Sequence, residues 1–203
     1  MPIVWTMPFP SPPWRLRGRL WVSSFAVGRG TPQRPAGVYA AAFADYQPGG
    51  VLAYRELLVA RLVRDGAVPR VRITDIWVDS AVSRDGGWAL WAIPKELADL
   101  QVRGRTAGVA LHAVGEAAIA GSSVATARAT GVRLPVVPRV PVRLSTVQER
   151  ADGTAVRAGV AGRARISPCR IRWEFAAGGP LSWLRGRRPV AFWQVDDFAI
   201  TFG

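Results

Sequence analysis

Short runs of alternating polar and apolar residues, separated by glycine, proline and aspartate, make up most of this chain. Successive side chains of a β-strand point to opposite faces, so such alternation is typical of strands with one buried face. The segment from Arg70 to Val78 is a clear example. Helical periodicity is rare, and the pattern therefore predicts a mainly β (α+β) fold with a few helices.

Turn signals between the alternating runs predict hairpins. Asp85-Gly86-Gly87 is expected to join the strand at 70–78 to the apolar run that ends at Pro94, because glycine accepts the positive φ of a tight turn. A second hairpin is expected over Thr146–Arg157, with its turn at Asp152-Gly153. The segment Val190–Phe202 reads as a further strand.

Helical signals are few. Residues 94–99 fit a short helix with Pro94 at its first position. The segment Val51–Val63 is ambiguous, since its propensity favours a helix but it also fits a buried strand after a proline–glycine turn. The stretch 108–142 is rich in valine, alanine and threonine, and prolines near its end limit strand length.

The chain of 203 residues is long enough for one sizeable domain, and no repeat or change of composition divides it. Residues 1–14 carry five prolines and are expected to form an extended arm, with a single domain over 15–203. The first residues lack the pattern of a signal peptide, and no apolar run has the length that spans a bilayer. A cytoplasmic protein without membrane attachment is expected.

The composition argues against several kinds of site. Cys169 is the only cysteine, so an internal disulfide and a thiolate metal cage are excluded. His112 is the only histidine and lies in an alternating apolar stretch, where we interpret it as structural. No metal is expected.

The formal charge of +13 raises the possibility of nucleic-acid binding. The arginines are spread along the chain, however, and no nucleic-acid-binding motif is present. Nonspecific binding of polyanions at low salt is expected from the charge, but no specific nucleic-acid partner.

Lysine is almost absent from this basic chain. Of 27 lysine and arginine residues, only Lys95 is a lysine, and it ends an apolar run that contains Trp91 and Ile93. A buried lysine can give up its charge and act as a nucleophile, which arginine cannot do. The alternative is a surface lysine retained by chance beside a proline.

A nucleophilic lysine predicts Schiff-base chemistry. The amine attacks a ketone, water leaves, and the cationic imine accepts electrons from the adjacent carbon, which permits decarboxylation or aldol-type chemistry without a cofactor. The site also needs an acid/base group and a cation for a substrate carboxylate. Glu56, Asp75, Asp79 and Glu96 are the acidic candidates, and arginines are abundant.

The segment Gly87–Glu96, which ends in a bulky residue, proline and lysine, resembles the acetoacetate decarboxylase motif Gly-Arg-Glu, two residues, Gly, aromatic, Pro-Lys-Lys. Tyr54-Arg-Glu56 resembles the Tyr-x-Glu of that family, and Glu56 lies 39 residues before Lys95, a spacing that the family shares. Ile76–Asp79 and Gly18–Val22 resemble two further strands of the family. The resemblance is strongest over residues 46–99.

This resemblance implies that Lys95 is the Schiff-base nucleophile and Glu56 the pocket carboxylate. It also implies that Arg19 meets Glu56 or the substrate carboxylate, and we expect Trp91 and Ile93 to contact the substrate. The implied fold is a closed antiparallel β-barrel-like sheet of double-cone type with a few peripheral helices. The implied partners are a small keto-acid substrate and further copies of the chain in a homo-oligomer, with no cofactor.

The chain departs from the family motif in several places. Trp88-Ala89 replaces the Arg-Glu pair, Ala92 replaces the glycine, and Glu96 replaces the second lysine. A carboxylate within reach of Lys95 favours the ammonium, unless an extended backbone turns Glu96 to the opposite face. Two functions remain open: a lyase acting on β-keto acids such as acetoacetate or on pyruvate-type keto acids, and a non-catalytic barrel that binds small ligands or has a structural role.

Overall fold

The computed structural model describes residues 8–107, 110–132 and 137–203, except for the side chains of 105–112 and 132. The His112 side chain and the first half of the expected N-terminal arm therefore lie outside the described part. The elements in chain order are β1 Trp14–Val27, β2 Gly37–Tyr46, β3 Tyr54–Asp65, β4 Val68–Val78, α1 Ala81–Trp91, β5 Lys95–Leu97, β6 Asp99–Ala107, β7 Ala110–Ile119, β8 Ser122–Val132, β9 Val140–Glu149, β10 Ala155–Phe175, a 3-10 helix Ser182–Leu184, and β11 Ala191–Phe202.

Seven strands close into a ring in the order β11, β1, β2, β3, β4, β9 and β10, and β10 pairs again with β11. The neighbours are antiparallel except at β4 and β9, which are parallel and share the pair Val71–Thr146. The mainly β, closed sheet expected from the sequence is thus confirmed, with one parallel junction in it. Closure leaves an interior that side chains from all seven strands face.

A second group of strands covers one side of the ring. Strand β10 is long enough to leave the ring, and its last part, Cys169–Phe175, pairs with β8, which continues through β7 to β6. An apolar core fills the space between these strands and the outer face of the ring, and its buried aromatic members are Trp21, Phe25, Tyr39, Phe43, Trp77 and Phe175. Successive side chains of a ring strand therefore face the outer core and the ring interior in turn.

The structure corrects two local predictions. Asp85-Gly86-Gly87 is not a hairpin turn but lies inside α1, and residues 95–97 form a strand parallel to β4 where a short helix was expected. Close packing explains the two glycines, because a Cβ at Gly86 would lie 2.5 Å from the Trp14 ring. The expected hairpin at Asp152-Gly153 and the C-terminal strand are confirmed. The ambiguous segment is strand from Tyr54 onward.

The Gln148 side chain supports the parallel junction of the ring. Its Nε2 donates to Ile73 O at 3.0 Å, and its Oε1 accepts from Ile73 N at 3.0 Å. The amide thereby supplies β4 with the two hydrogen bonds that a neighbouring backbone would give. Gln148 is buried, so water has little access to replace its side chain as the partner of Ile73 N and O.

We expect Gln148→Met to destabilise the fold by about 1–3 kcal/mol, because it leaves the N–H and C=O of the half-buried Ile73 without these partners. Urea unfolding of the variant and of the wild type measures the difference. Gln101→Met, on an exposed position of β6, is the matched control and should change stability by less than about 0.5 kcal/mol. Equal stability of the two variants would contradict the role given to Gln148.

Candidate active site

Lys95 enters the ring interior from the short strand β5. Its backbone pairs with Ile76 of β4, and the Trp88 indole N–H donates to Lys95 O at 2.8 Å. Helix α1 lies against the lysine stem through Gly87, where a Cβ would come within 2.8 Å of Lys95 Cδ. The helix therefore fixes both the backbone and the side chain of Lys95.

The Lys95 ammonium donates to three side-chain oxygens. Nζ lies 2.9 Å from Ser83 Oγ, 3.0 Å from Glu56 Oε2 and 3.3 Å from the Tyr54 hydroxyl. The Lys95 and Glu56 side chains are only 5% and 4% exposed. An ammonium has three protons to donate, so all three are satisfied within the protein.

Two stacked tyrosines complete the polar cluster. Tyr46 and Tyr54 face each other across β2 and β3 with ring centroids 4.4 Å apart, and the Tyr46 hydroxyl donates to Glu56 Oε1 at 3.4 Å. Burial raises the pKa of both phenols well above the usual value, and the Glu56 charge raises it further. Both hydroxyls therefore stay protonated at neutral pH and remain able to donate hydrogen bonds.

The cluster faces a cavity of about 300 Å³ inside the ring. Trp91 and Ile93, the expected substrate contacts, both line it together with Lys95 and Glu56. The other lining residues are mostly apolar, and they are Trp14, Leu16, Leu20, Val22, Ala40, Ala42, Ala44, Tyr46, Tyr54, Leu58, Ala60, Val71, Ile73, Ile76, Val142, Leu144, Thr146, Val160, Ala164, Val195, Phe198, Ile200 and Phe202. The sequence predictions Lys95, Glu56, Trp91 and Ile93 thus meet in one place.

The other acidic candidates point elsewhere. Glu96 follows Lys95 on an extended strand, so its side chain turns to the opposite side and accepts a hydrogen bond from the Trp77 indole at 3.1 Å. Asp75 binds Arg34, and Asp79 binds the Arg55 backbone and guanidinium. Glu56 is therefore the carboxylate that the structure brings to Lys95.

Arg19 does not reach the cavity, which corrects the position expected for it. Leu20 and Val22 of β1 line the cavity, whereas the Arg19 guanidinium bonds to Asp45 at 3.0 Å and lies over the Trp21 ring. Strand alternation places Arg19 on the outer side of the ring, because the even positions Leu16, Leu20 and Val22 face the cavity and Arg19 lies at an odd position. Among the described residues that line the cavity, none is an arginine.

Sequence reasoning missed Ser83, Tyr46 and the contact of Tyr54 with Lys95. Tyr54 carried a signal, because positions i and i+2 of a strand share a face and Tyr54 therefore accompanies Glu56. Tyr46 follows once the register of β2 against β3 is known. Ser83 gave no signal, since it reaches Lys95 only through the helix that was mistaken for a hairpin.

Ala92 ends α1 in the left-handed conformation, with φ 52° and ψ 31°. Its N–H bonds to Trp88 O, and the next N–H, of Ile93, bonds to Gly87 O, so the strained residue sets the turn that leads to Lys95. An alanine in this conformation costs roughly 1–2 kcal/mol relative to a right-handed one. Ala92 is also the position where the acetoacetate decarboxylase motif has glycine.

We expect Ala92→Gly to stabilise the fold by about 0.5–1 kcal/mol, because glycine adopts this conformation without steric cost and loses only part of the gain to backbone entropy. Ala89→Gly, inside the same helix and exposed, is the opposite control and should destabilise by about 1 kcal/mol. Thermal unfolding of both variants measures the signs. Destabilisation by both would show that the Ala92 conformation is not strained.

The described residues hold no group of three or more histidine, cysteine, aspartate or glutamate side chains placed to bind a metal ion. Cys169 is buried, and its burial raises the pKa of the thiol to about 11. In the same part of the chain, no helix is long and apolar enough to cross a membrane.

The sequence profile of the family "Acetoacetate decarboxylase (ADC)" matches residues 31–166. This match includes the Lys95 cluster and more than half of the chain. The chain therefore belongs to the acetoacetate decarboxylase family. No curated protein sequence matches it.

Solved structures share the fold at low sequence identity. An acetoacetate decarboxylase-like enzyme from Sphingomonas wittichii RW1 is 15% identical with a TM-score of 0.71, and the match covers 100% of this chain and 95% of that one. Acetoacetate decarboxylase from Legionella pneumophila subsp. pneumophila str. Philadelphia 1 is 17% identical with a TM-score of 0.66, covering 99% and 89%. The enduracididine biosynthesis enzyme MppR, in complex with the condensation product of pyruvate and imidazole 4-carboxaldehyde, is 19% identical with a TM-score of 0.61, covering 98% and 90%. These comparisons show that the chain shares its fold with the three proteins.

Proposed function

We propose that this protein is a cofactor-free Schiff-base lyase that forms an imine between Lys95 and a keto acid. The observation that carries the proposal is the buried Lys95 amine, which faces a cavity and lies 3.0 Å from the buried Glu56 carboxylate. A lysine that serves only to stabilise the fold through its charge would not need to be buried, because a buried ion pair adds little net stability. The alternative of an exposed Lys95 paired with Glu96 is disfavoured by the opposite orientations of the two side chains.

Glu56 is the proton carrier of this proposal. It takes a proton from the Lys95 ammonium, and the free amine then attacks the keto carbon. The attack forms a carbinolamine, whose hydroxyl hydrogen comes from the nitrogen. The Glu56 carboxyl returns its proton to this hydroxyl, which leaves as water. The products are a cationic imine at Lys95 and an ionised Glu56, so charge and atoms balance.

Decarboxylation follows from the imine. The bond between the α-carbon and the carboxylate breaks, carbon dioxide leaves, and the electron pair neutralises the imine nitrogen to give an enamine. The carbon then takes a proton derived from solvent, and water hydrolyses the restored imine to release the ketone and Lys95. Ser83 and the protonated phenols of Tyr54 and Tyr46 hold Nζ and Glu56 in place throughout.

Aldolase–dehydratase chemistry on a pyruvate-type keto acid uses the same imine and is the second candidate. Its support is the likeness to MppR, whose complex contains a condensation product of pyruvate. In that reaction the enamine attacks an aldehyde and the carboxylate is retained. We also propose that the protein works in the cytoplasm as a homo-oligomer, with residues 15–203 as its single domain and 1–14 as an arm.

Turnover in ¹⁸O-labelled water tests the imine. Hydrolysis of an imine places solvent oxygen in the ketone, so acetone formed from acetoacetate should carry one labelled oxygen in every molecule at early times. Spontaneous exchange is measured without enzyme and with Lys95→Met. Product that retains the oxygen of the substrate would exclude imine formation, and absence of turnover with acetoacetate and with pyruvate plus an aldehyde would favour a non-catalytic barrel.

A further inference from the structure

The charged groups and phenols of the cavity lie around Lys95, and the hydroxyl of Thr146, which also lines the cavity, donates to Ala158 O. Strand β2 shows the change from polar to apolar lining, because its inward side chains are Tyr46, beside Glu56, and then Ala44, Ala42 and Ala40. Three alanines in succession leave space that larger inward residues would fill. The cavity therefore extends away from the Lys95 cluster along β2 and β3. We call this part the apolar lane, and it is lined by Ala44, Ala42, Ala40, Leu58 and Ala60.

The length of this lane follows from β3, whose inward residues Glu56, Leu58 and Ala60 all line the cavity. Four residues of an extended strand span about 13 Å. A carbon–carbon bond of about 1.5 Å advances an extended chain by about 1.3 Å, so at most about ten carbons beyond the one bound to Nζ fit within this length. The keto carbon of acetoacetate carries only a methyl group on this side.

The charges inside the cavity constrain the other side of the substrate. Among the described lining residues, Lys95 is the cation and Glu56 the carboxylate, and the lining contains no arginine. A substrate carboxylate therefore makes the site negative and lies in mostly apolar surroundings, which is unfavourable. Its loss as carbon dioxide removes that charge, whereas a reaction that retains the carboxylate keeps it.

We propose that the substrate is a β-keto acid with an unbranched or aryl apolar tail of about six to nine carbons beyond the keto carbon. The proposal rests on the imine function proposed above and names its substrate class. The keto carbon binds Lys95 Nζ, the tail lies along Ala44, Ala42, Ala40 and Ala60, and the carboxylate leaves as carbon dioxide. The product is an apolar methyl ketone.

A series of β-keto acids with four, six, eight, ten and twelve carbons tests this proposal. Each buried methylene contributes about 0.8 kcal/mol, so kcat/KM for carbon dioxide release should rise about fourfold per added carbon until the lane is full. The ten-carbon acid should therefore exceed acetoacetate by at least about 100-fold. The 2-keto acid of ten carbons, which keeps its carboxylate, should react at least about tenfold more slowly than its β-keto isomer.

Ala40→Leu obstructs the far end of the lane, beside Ala60. We expect it to lower the ratio of kcat/KM for the ten-carbon acid to kcat/KM for acetoacetate by at least about tenfold. Ala161→Leu, on an exposed position of β10, is the matched control and should leave this ratio unchanged. An unfolded Ala40→Leu protein would lose both activities, and the chain-length series of the wild type then decides alone.

The outcomes separate this proposal from the function on which it rests. The apolar-tail substrate would be overturned if borohydride trapped acetoacetate at Lys95 as efficiently as the ten-carbon acid and kcat/KM did not rise with chain length. The imine function would then still stand. Failure of every acid in the series to form an adduct at Lys95 would overturn both.

Discussion

Lys95→Met is expected to abolish imine-dependent turnover, with a loss of at least about 10⁴-fold in kcat. Methionine has an unbranched stem that fits against Gly87, but it has no amine to attack a carbonyl. Carbon dioxide release from β-keto acids measures the loss, and circular dichroism establishes that the strands remain.

Glu96→Gln is the control for Lys95→Met, because it changes the neighbouring residue, which faces away and can still accept from Trp77. It should retain wild-type activity within about twofold. Substantial turnover by Lys95→Met, or an equal loss in both variants, would contradict a nucleophilic Lys95.

Lys95→Met should also destabilise the fold, by about 3–5 kcal/mol, because it leaves the Glu56 carboxylate buried without its counter-ion. Glu56→Gln removes that carboxylate while preserving its shape, and the double variant should recover most of the lost stability. Urea unfolding of the wild type, both single variants and the double variant forms a double-mutant cycle. We expect a coupling energy of at least about 2 kcal/mol.

The pair Arg55 and Asp79 provides the comparison for this cycle. Their guanidinium and carboxylate are 3.0 Å apart, as close as Lys95 and Glu56, but Arg55 is 45% exposed. Its cycle should give less than about 1 kcal/mol. Equal coupling energies for the two pairs would show that Lys95 and Glu56 are hydrated like a surface pair. That result would contradict the buried site proposed here.

The β character and the pairing of Lys95 with Glu56 could be predicted from the sequence for different reasons. Alternation of apolar residues reports directly on strands, and it is local. The encounter of Glu56 with Lys95 is not local, since 39 residues separate them. It was accessible only because Tyr54-Arg-Glu56 and Pro94-Lys95 together resembled one family.

One error arose where tertiary packing overrides a local rule. Asp85-Gly86-Gly87 has the composition of a turn, yet the two glycines let α1 approach Trp14 and Lys95. The position expected for Arg19 came from the resemblance to a family motif, but Arg19 lies at an odd position of β1, and the inward residues Leu16, Leu20 and Val22 lie at even positions. Successive side chains of a strand face opposite sides, so the alternation of β1 by itself indicates that Arg19 points away from the cavity.

Borohydride trapping followed by peptide mass spectrometry tests the central claim most directly. The chain contains one lysine, so apart from the N-terminal amine a reduced imine can form only at Lys95. We predict that a ten-carbon β-keto acid and borohydride together give one adduct, located on the peptide that contains Lys95 and absent from Lys95→Met. An unmodified Lys95 peptide after trapping at neutral and alkaline pH, or an adduct confined to the N-terminus, would contradict the account.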